Sequence, residues 1–269
     1  MSNRIGTKVL GGAIAVALLF GAAACGDDSD DGGGGGASGG SEGRTLKVCS
    51  DIPYAPMEME GEGPRGLKYT GFDIDLVDAM AESMGDKISV KDSDFDTIFA
   101  SMAAGNCDLV ASSVSITPER EKEMLFTDPY FDADQSLLVP KDSEVKALAD
   151  LAGKTIGVQT GTTGQEYANE NKPDGATVKD FKDTTGLFGA LQADDIQAVL
   201  QDLPVNAGRV TETDGAVEVV ETFKTDETYG IAVAKDNTEL QGELNTALKS
   251  VKDDGTYQEL YDKYFPKSD

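Results

Sequence analysis

The chain has no histidine and no tryptophan among its 269 residues, and only 3 cysteines. Without histidine, the usual general base of a nucleophilic triad and the commonest metal ligand are both missing. Most hydrolase and metalloenzyme readings end there, and neither a metal nor a cofactor is expected. Basic residues are also scarce, with 23 Lys and Arg against 49 Asp and Glu, a formal charge of −26. That surplus repels a phosphate backbone and no basic patch interrupts it, so no nucleic-acid partner is expected. The one long apolar run, residues 9–24, is shorter than the roughly 20 residues of a membrane span. The rest, 39% hydrophobic overall, is ample for one large domain or two ordinary ones.

Arg4 and Lys8 precede the apolar, small-residue run, which ends at Cys25. These are the parts of an export signal, with an uncleaved N-terminal anchor as the alternative. The Ala-Ala-Ala-Cys-Gly junction resembles a bacterial lipobox, with Ala22 where Leu is more frequent. Residues 1–24 therefore read as a lipoprotein signal peptide and Cys25 as the lipidated mature N-terminus. Residues 27–43, DDSDDGGGGGASGGSEG, have no apolar residue beyond Ala37 and cannot bury a core. Residues 25–43 are thus a flexible acidic tether, spanning roughly 20–25 Å as a Gly/Ser coil. It would hold a monomeric body just outside the cell membrane. Cys49 and Cys107 remain, and an even pair in an exported chain favours a disulfide. Two buried free thiols are the alternative. Cys49 falls late in one expected strand and Cys107 at the start of another, and a bridge needs Cα atoms within about 7 Å.

From residue 44 onward, apolar periodicity predicts strands at 45–50, 88–90, 108–116, 135–140, 154–158, 177–181, 196–200 and 230–234. Helices are predicted at 72–85, 95–104, 145–151, 164–171, 187–193, 239–253 and 257–265. Such alternation makes an α/β architecture of mostly parallel sheets. Two series occur, one on each side of about residue 135, and the last two helices are expected back on the first. The prediction is two α/β lobes, residues 44–132 plus 229–269 and residues 133–228. They would be joined by hinge crossings near 132–135 and 226–229, with the ligand cleft between them at strand carboxyl ends.

Thr117-Pro118-Glu119-Arg120 reads as a helix start, with Thr as N-cap and Pro at the first position. Arg120 in that first turn opposes the helix dipole, so an anion would suit it and the free N–H groups together; a surface pairing with Glu121 or Glu123 is the alternative. Gln159-Thr160-Gly161-Thr162-Thr163-Gly164 joins a strand to a helix and suits an anion or simply connects the two; no Gly-Lys-Ser/Thr makes it a nucleotide loop. Asp202 either receives an ammonium or caps the helix after Pro204. Asp51 and Tyr54 close the first strand, and Phe95 opens a helix. Taken together these residues complement a zwitterionic α-amino acid.

The same stretches carry a resemblance. SDIPYAPME, YTGFDIDL, SDFDTIFASM, SSVSITPERE, FTDPYF, GVQTGTTGQEYA, AVLQDLP, YGIAV and DDGTYQELYDKYF occur in the order and spacing of solute-binding protein family 3. These are the amino-acid-binding proteins of ABC importers, and the match runs over residues 45–269. The resemblance implies a two-lobed periplasmic-binding-protein-like fold of type II, not an enzyme, working with a permease and its cytoplasmic ATPase. Carried over residue by residue, Arg120 and Thr163 would hold the ligand α-carboxylate and Asp202 its α-amino group. Ser113 and Ser115 would add polar contacts, Tyr54 and Phe95 would sandwich the side chain, and Asp51 would meet its polar end. Ser112, Thr160 and Gln201, in the same motifs, complete the candidate set. The Ser112-Ser113-Val114-Ser115 and Gln201-Asp202 stretches look most like the lysine/arginine/ornithine and histidine binders. Glu58, Glu60 and Glu62 are the candidates to stand in for the additional acid that contacts ligand in the basic-amino-acid binders. The expected ligand is therefore a basic L-amino acid, with glutamine or cystine as alternatives. A cyclohexadienyl-dehydratase-like enzyme on the same fold is the less favoured rival.

Overall fold

The structure, a computed structural model, describes residues 43–266; the export signal, Cys25 and the tether lie outside the described residues. Twelve strands and eight α-helices are formed among them. β1 (Thr45–Ser50), a short hairpin of β2 (Met59–Glu60) and β3 (Tyr69–Thr70), α1 (Phe72–Ser83), β4 (Lys87–Asp92) and α2 (Phe95–Ala103) open the chain. They are followed by β5 (Leu109–Val110), α3 (Pro118–Glu123), β6 (Met124–Phe126) and β7 (Phe131–Pro140). Next come β8 (Thr155–Gln159), α4 (Thr163–Asn171), β9 (Thr177–Phe181), α5 (Thr184–Gln192), β10 (Ala198–Asp202) and α6 (Leu203–Glu212). The chain returns through β11 (Val217–Tyr229), β12 (Ala232–Ala234), α7 (Thr238–Asp253) and α8 (Thr256–Tyr264).

Two five-stranded sheets result. The first has the order β4-β1-β5-β12-β6 and the second β11-β7-β10-β8-β9. Each is parallel where β-α-β units built it and antiparallel where β12, β7 or β11 joins. The first sheet is covered on one face by α1, α7 and α8, through Leu76, Val77, Met80, Leu240, Leu244 and Leu248. Its other face is covered by α2 through Ile98 and Met102. The second sheet buries Leu137, Val158 and Leu200 on one side and Leu138, Leu187 and Val199 on the other.

The chain crosses between sheets twice, and the crossings are themselves paired. β7 runs antiparallel to β11, with Phe131 opposite Tyr229 and Asp132 opposite Thr228. The two rings stack, with centroids 5.7 Å apart and planes 15° from parallel. Strand β7 begins at Phe131 rather than 135 because Phe131, Ala133 and Gln135 face inward while Asp132 is exposed. β11 has no counterpart among the predicted elements. Its sequence, VEVVETFKTDETY, lies half-exposed at a sheet edge, so charge dilutes the alternation that would reveal it.

Several predicted elements are shorter than expected, two of them markedly. The strand at 108–116 ends at Val110, and the chain leaves the sheet through Ser113 at φ 50°. There the Ser113 N–H donates to Asp73 Oδ2 at 2.7 Å instead of joining the ladder. The helix at 145–151 is one 3₁₀ turn, Leu148–Leu151. Asp150 accepts the N–H groups of Lys146 and Ala147 before that turn, and Gly153 at φ 72° follows it.

Cys49 and Cys107 form a disulfide with Cα atoms 5.7 Å apart, inside the core beneath α2. The loop after α2 brings Cys107 back over β1, which removes the geometric objection that strand order raised. The bridge closes a loop of 58 residues. Chain entropy alone assigns about 4 kcal/mol to such a closure, and measured bridges give typically about 2–4. The Cys49→Ala/Cys107→Ala variant should lose about that much in urea denaturation, and a loss below about 0.5 kcal/mol would deny the bridge a stabilising role.

Candidate functional site

The strand ends that the sequence singled out converge between the two sheets on a small, narrow cavity. Asp51, Tyr54, Phe95, Ser112, Ser113, Ser115 and Arg120 line it from the first sheet's side. Thr163 and Asp202 line it from the second, together with Gln159 and Thr162. Thr160 and Gln201 do not reach it. The Thr160 hydroxyl and N–H both donate to Phe181 O, tying the loop to β9. Gln201 donates to Asn206 Oδ1 at 3.0 Å, inside the second lobe.

Arg120 sits in the first turn of α3, whose N-cap Thr117 accepts the Arg120 N–H at 3.2 Å. Its guanidinium donates to Ser115 O at 2.9 Å and Gly161 O at 3.1 Å. It also lies over Phe95 and Phe99, 5.5 and 5.4 Å from the ring centroids. It makes no ion pair among the described residues, so the expected alternative of a bond to Glu121 or Glu123 is not what it adopts. Burial pulls its pKa down, while Glu166, Asp202 and Glu227 act in the opposite sense. Two of its five N–H donors are used and three remain for an anion. Beside it, α4 starts at Thr163; the Thr162 hydroxyl caps Gln165, leaving the N–H groups of Thr163 and Gly164 without helical partners.

Asp202 is buried at the carboxyl end of β10 and does not cap α6. Its carboxylate accepts from Gln135 Nε2 at 2.6 Å and from the Tyr229 hydroxyl. Burial and the nearby Glu227 lift its pKa to about 6 despite those donors. Asp51 closes β1, held by its own N–H donating to Ser112 Oγ at 2.9 Å. Its side chain accepts from Gln159 Nε2, a bond that runs from one lobe to the other. Burial lifts it to about 7; the Gln159 bond lowers it, and Asp92, Asp183 and Asp94 add to the rise.

Of the three glutamates offered as an additional acid, Glu60 and Glu62 are exposed and Glu58 is fully buried. Glu58 Oε1 accepts from Ser113 Oγ at 3.0 Å, and neither its other oxygen nor Asp73 Oδ1 has a hydrogen-bond partner among the described residues. Burial, then Asp73, pushes Glu58 well above the usual carboxylate range. The pair supports Ser113 from below.

Four participants escaped the sequence reading. Gln159 occupies the last position of β8, a strand end beside the threonine loop, and that position was the available signal. Thr162, in the same loop, lines the cavity where Thr160 was expected to. Gln135 and Glu227 lie on the paired crossing strands, where no motif marks them. Glu227 accepts from Ser115 Oγ at 2.7 Å, Thr163 Oγ1 at 2.6 Å and Gln135 Nε2 at 3.1 Å. The Thr163 hydroxyl is therefore committed to Glu227, and what Thr163 retains for an anion is its backbone N–H.

Comparison with known proteins identifies the family and the fold. Residues 46–267 match the model of the bacterial extracellular solute-binding proteins, family 3. The putative ABC transporter arginine-binding protein 2 of Escherichia coli K12 is 33% identical over 228 residues, 83% of this chain and 91% of that protein. An ancestral arginine-binding protein bound to arginine superposes with a TM-score of 0.75 at 37% identity, covering 82% of this chain and 98% of that one. A second structure of an ancestral arginine-binding protein, bound to glutamine, has the same TM-score and identity over 83% and 98%. The two α/β lobes are thus the type II periplasmic-binding fold.

The raised Asp51 pKa has a consequence for stability. A carboxyl whose folded pKa exceeds its unfolded value of about 3.9 stabilises the fold below that value and loses the contribution as pH rises through about 7. Asp51→Asn removes the penalty. Ligand-free wild type should therefore lose on the order of 3 kcal/mol relative to Asp51→Asn between pH 4 and pH 8 in urea denaturation. An equal difference at both pH values would mean that Asp51 titrates normally.

Proposed function

The chain belongs to the bacterial extracellular solute-binding proteins of family 3, and on that premise we propose that it captures a basic L-amino acid for an ABC importer. Closure of its lobes around the ligand would precede delivery to the permease. One observation carries the reading. A guanidinium with no ion-pair partner among the described residues, Arg120, and two buried carboxyls, Asp202 and Asp51, face the same cavity. Burying such charges without partners is costly, and a ligand of opposite pattern relieves the cost.

A basic amino acid has that pattern. Its α-carboxylate meets Arg120 and the N–H groups opening α4, its ammonium meets Asp202, and its side-chain cation meets Asp51. Tyr54 and Phe95 supply walls for the aliphatic stem. Glutamine would satisfy the first two contacts and leave Asp51 without a counter-charge; Asp51 can answer by keeping a proton, because burial already lifts it to about 7. Cystine would bring a second carboxylate towards Asp51. The arginine-binding relatives favour the cation, and the glutamine complex of an ancestral relative keeps glutamine as the competitor. The export signal, the lipobox-like Cys25 and the acidic tether support a lipid-anchored protein working on the outer side of the cell membrane. In this reading Asp51 and Asp202 serve as counter-charges and no bond is made or broken.

Calorimetric titration of refolded residues 44–269 against the twenty amino acids, ornithine and cystine tests the proposal. One-to-one heat with arginine, lysine or ornithine is expected. Silence across the panel would discard the recognition scheme and direct attention to opines, peptides or dehydratase substrates. Arg120→Ala should weaken binding at least about a hundredfold with the melting temperature unchanged, the usual cost of breaking a buried charge pair. Retained affinity would remove Arg120 from the carboxylate site. A cationic ligand needs both Asp51 and Asp202 ionised, so its affinity should rise with pH up to about 7 and then level, and Asp51→Asn should leave only the part of the rise that ends near 6. A glutamine-like ligand would show only that Asp202 part.

A further inference from the structure

Glu227 holds one hydroxyl from each lobe on a single oxygen. Its Oε2 accepts from Ser115 Oγ at 2.7 Å, on the segment leaving β5, and from Thr163 Oγ1 at 2.6 Å, at the start of α4. The two hydroxyl oxygens are 3.4 Å apart, and both residues line the cavity. Glu227 itself lies on β11 close to the crossing, two residues before Tyr229, and its other oxygen accepts from Gln135 on the partner crossing strand. It therefore touches the first lobe, the second lobe and the hinge at once.

A hydroxyl has one proton and two lone pairs. With both protons directed to Glu227, and one Thr163 Oγ1 lone pair taken by Gln135 Nε2 at 3.2 Å, Ser115 Oγ and Thr163 Oγ1 can turn only their remaining lone pairs towards a ligand. Those oxygens accept from an ammonium and repel a carboxylate. We propose that Glu227 is a positioning residue that latches the lobes together and makes this corner of the cavity selective for the α-ammonium. The polarity half of the proposal rests on the amino-acid-binding reading; the latch half does not. The carboxylate is left to Arg120 and to the N–H groups of Thr163 and Gly164, so Glu227 sets which way round the ligand lies. No motif in β11 predicts this, because the effect depends on three segments meeting.

The test compares wild type, Glu227→Gln and Glu227→Ala with two probes, L-arginine and 5-guanidinopentanoate, which is arginine without its α-amino group. Wild type should prefer L-arginine strongly. Glu227→Gln keeps the size but presents an amide donor to one hydroxyl, so the preference should shrink at least about tenfold, the value of one hydrogen bond to a charged group. Loss of affinity for both probes with the preference intact would mark Glu227 as merely structural and overturn the polarity role. Higher arginine affinity in Glu227→Ala would overturn it differently, by making Glu227 a competitor for the ligand's place. Small-angle X-ray scattering of the ligand-free proteins tests the latch without any ligand. Glu227→Ala should have a larger radius of gyration than wild type, and an unchanged radius overturns the latch. Failure of wild type to bind any amino acid is failure of the functional reading, and the scattering result then still decides the latch.

Discussion

The half-buried positive charge of Arg120 is the constraint on which the cavity depends. A guanidinium partly kept from water needs compensation, and its neighbours supply only part of it: two carbonyl oxygens and two aromatic faces. One of those carbonyls, Gly161 O, belongs to the opposite lobe, so the arginine both awaits an anion and reaches across the cleft. Gly161 adopts φ 81°, a conformation that costs glycine little, and a Cβ there would stand 3.4 Å from Asp96 Cα. The positive φ, not the space, is what calls for glycine there, since a Cβ at that distance would be in ordinary contact.

The hinge and the binding site are one hydrogen-bonded network. Gln135 and Glu227 sit on the paired crossing strands, and Tyr229 ends the second of them. Gln135 and Tyr229 both donate to Asp202, while Glu227 receives Ser115 and Thr163. Bending the crossing strands must therefore rearrange the groups that face the cavity. Outside this network, Gln159 to Asp51, Thr184 to Pro53 O and Lys182 to Asp94 also join the lobes. The exposed Lys182 pair adds little. The Asp51 bond is different, since it is buried and bears on a carboxyl whose charge state is balanced near neutrality.

Much of the fold was legible because its elements repeat simple periods. Leu76, Val77 and Met80 on α1, and Leu240, Leu244, Leu248 and Val251 on α7, lie at helical spacing and are buried as that spacing predicts. Where the reading failed, local period had been overruled. DLVASSVSI looks like a strand, but Asp73 takes the Ser113 N–H and bends the chain away. β11 is a strand despite its charges, because β7 supplies its hydrogen bonds along the whole edge.

The sequence by itself determined the two-lobed α/β plan, the family, and most of the side chains that line the cavity. It could do so because apolar periodicity is local and the motif residues sit at strand ends. Only the tertiary structure decided how those side chains are used. It withdrew Thr160 and Gln201 into supporting roles, turned the Thr163 hydroxyl to Glu227, and placed Glu58 beneath Ser113. It also brought Gln135, Gln159 and Glu227 into the site. Apart from the Gln201 bond to Asn206, which spans 5 residues, these outcomes depend on which donor meets which acceptor across distances of 21 to 112 residues in the chain. No local pattern encodes such partners, since a carboxylate on an exposed edge strand and one beneath a binding site read alike until the lobes are folded together.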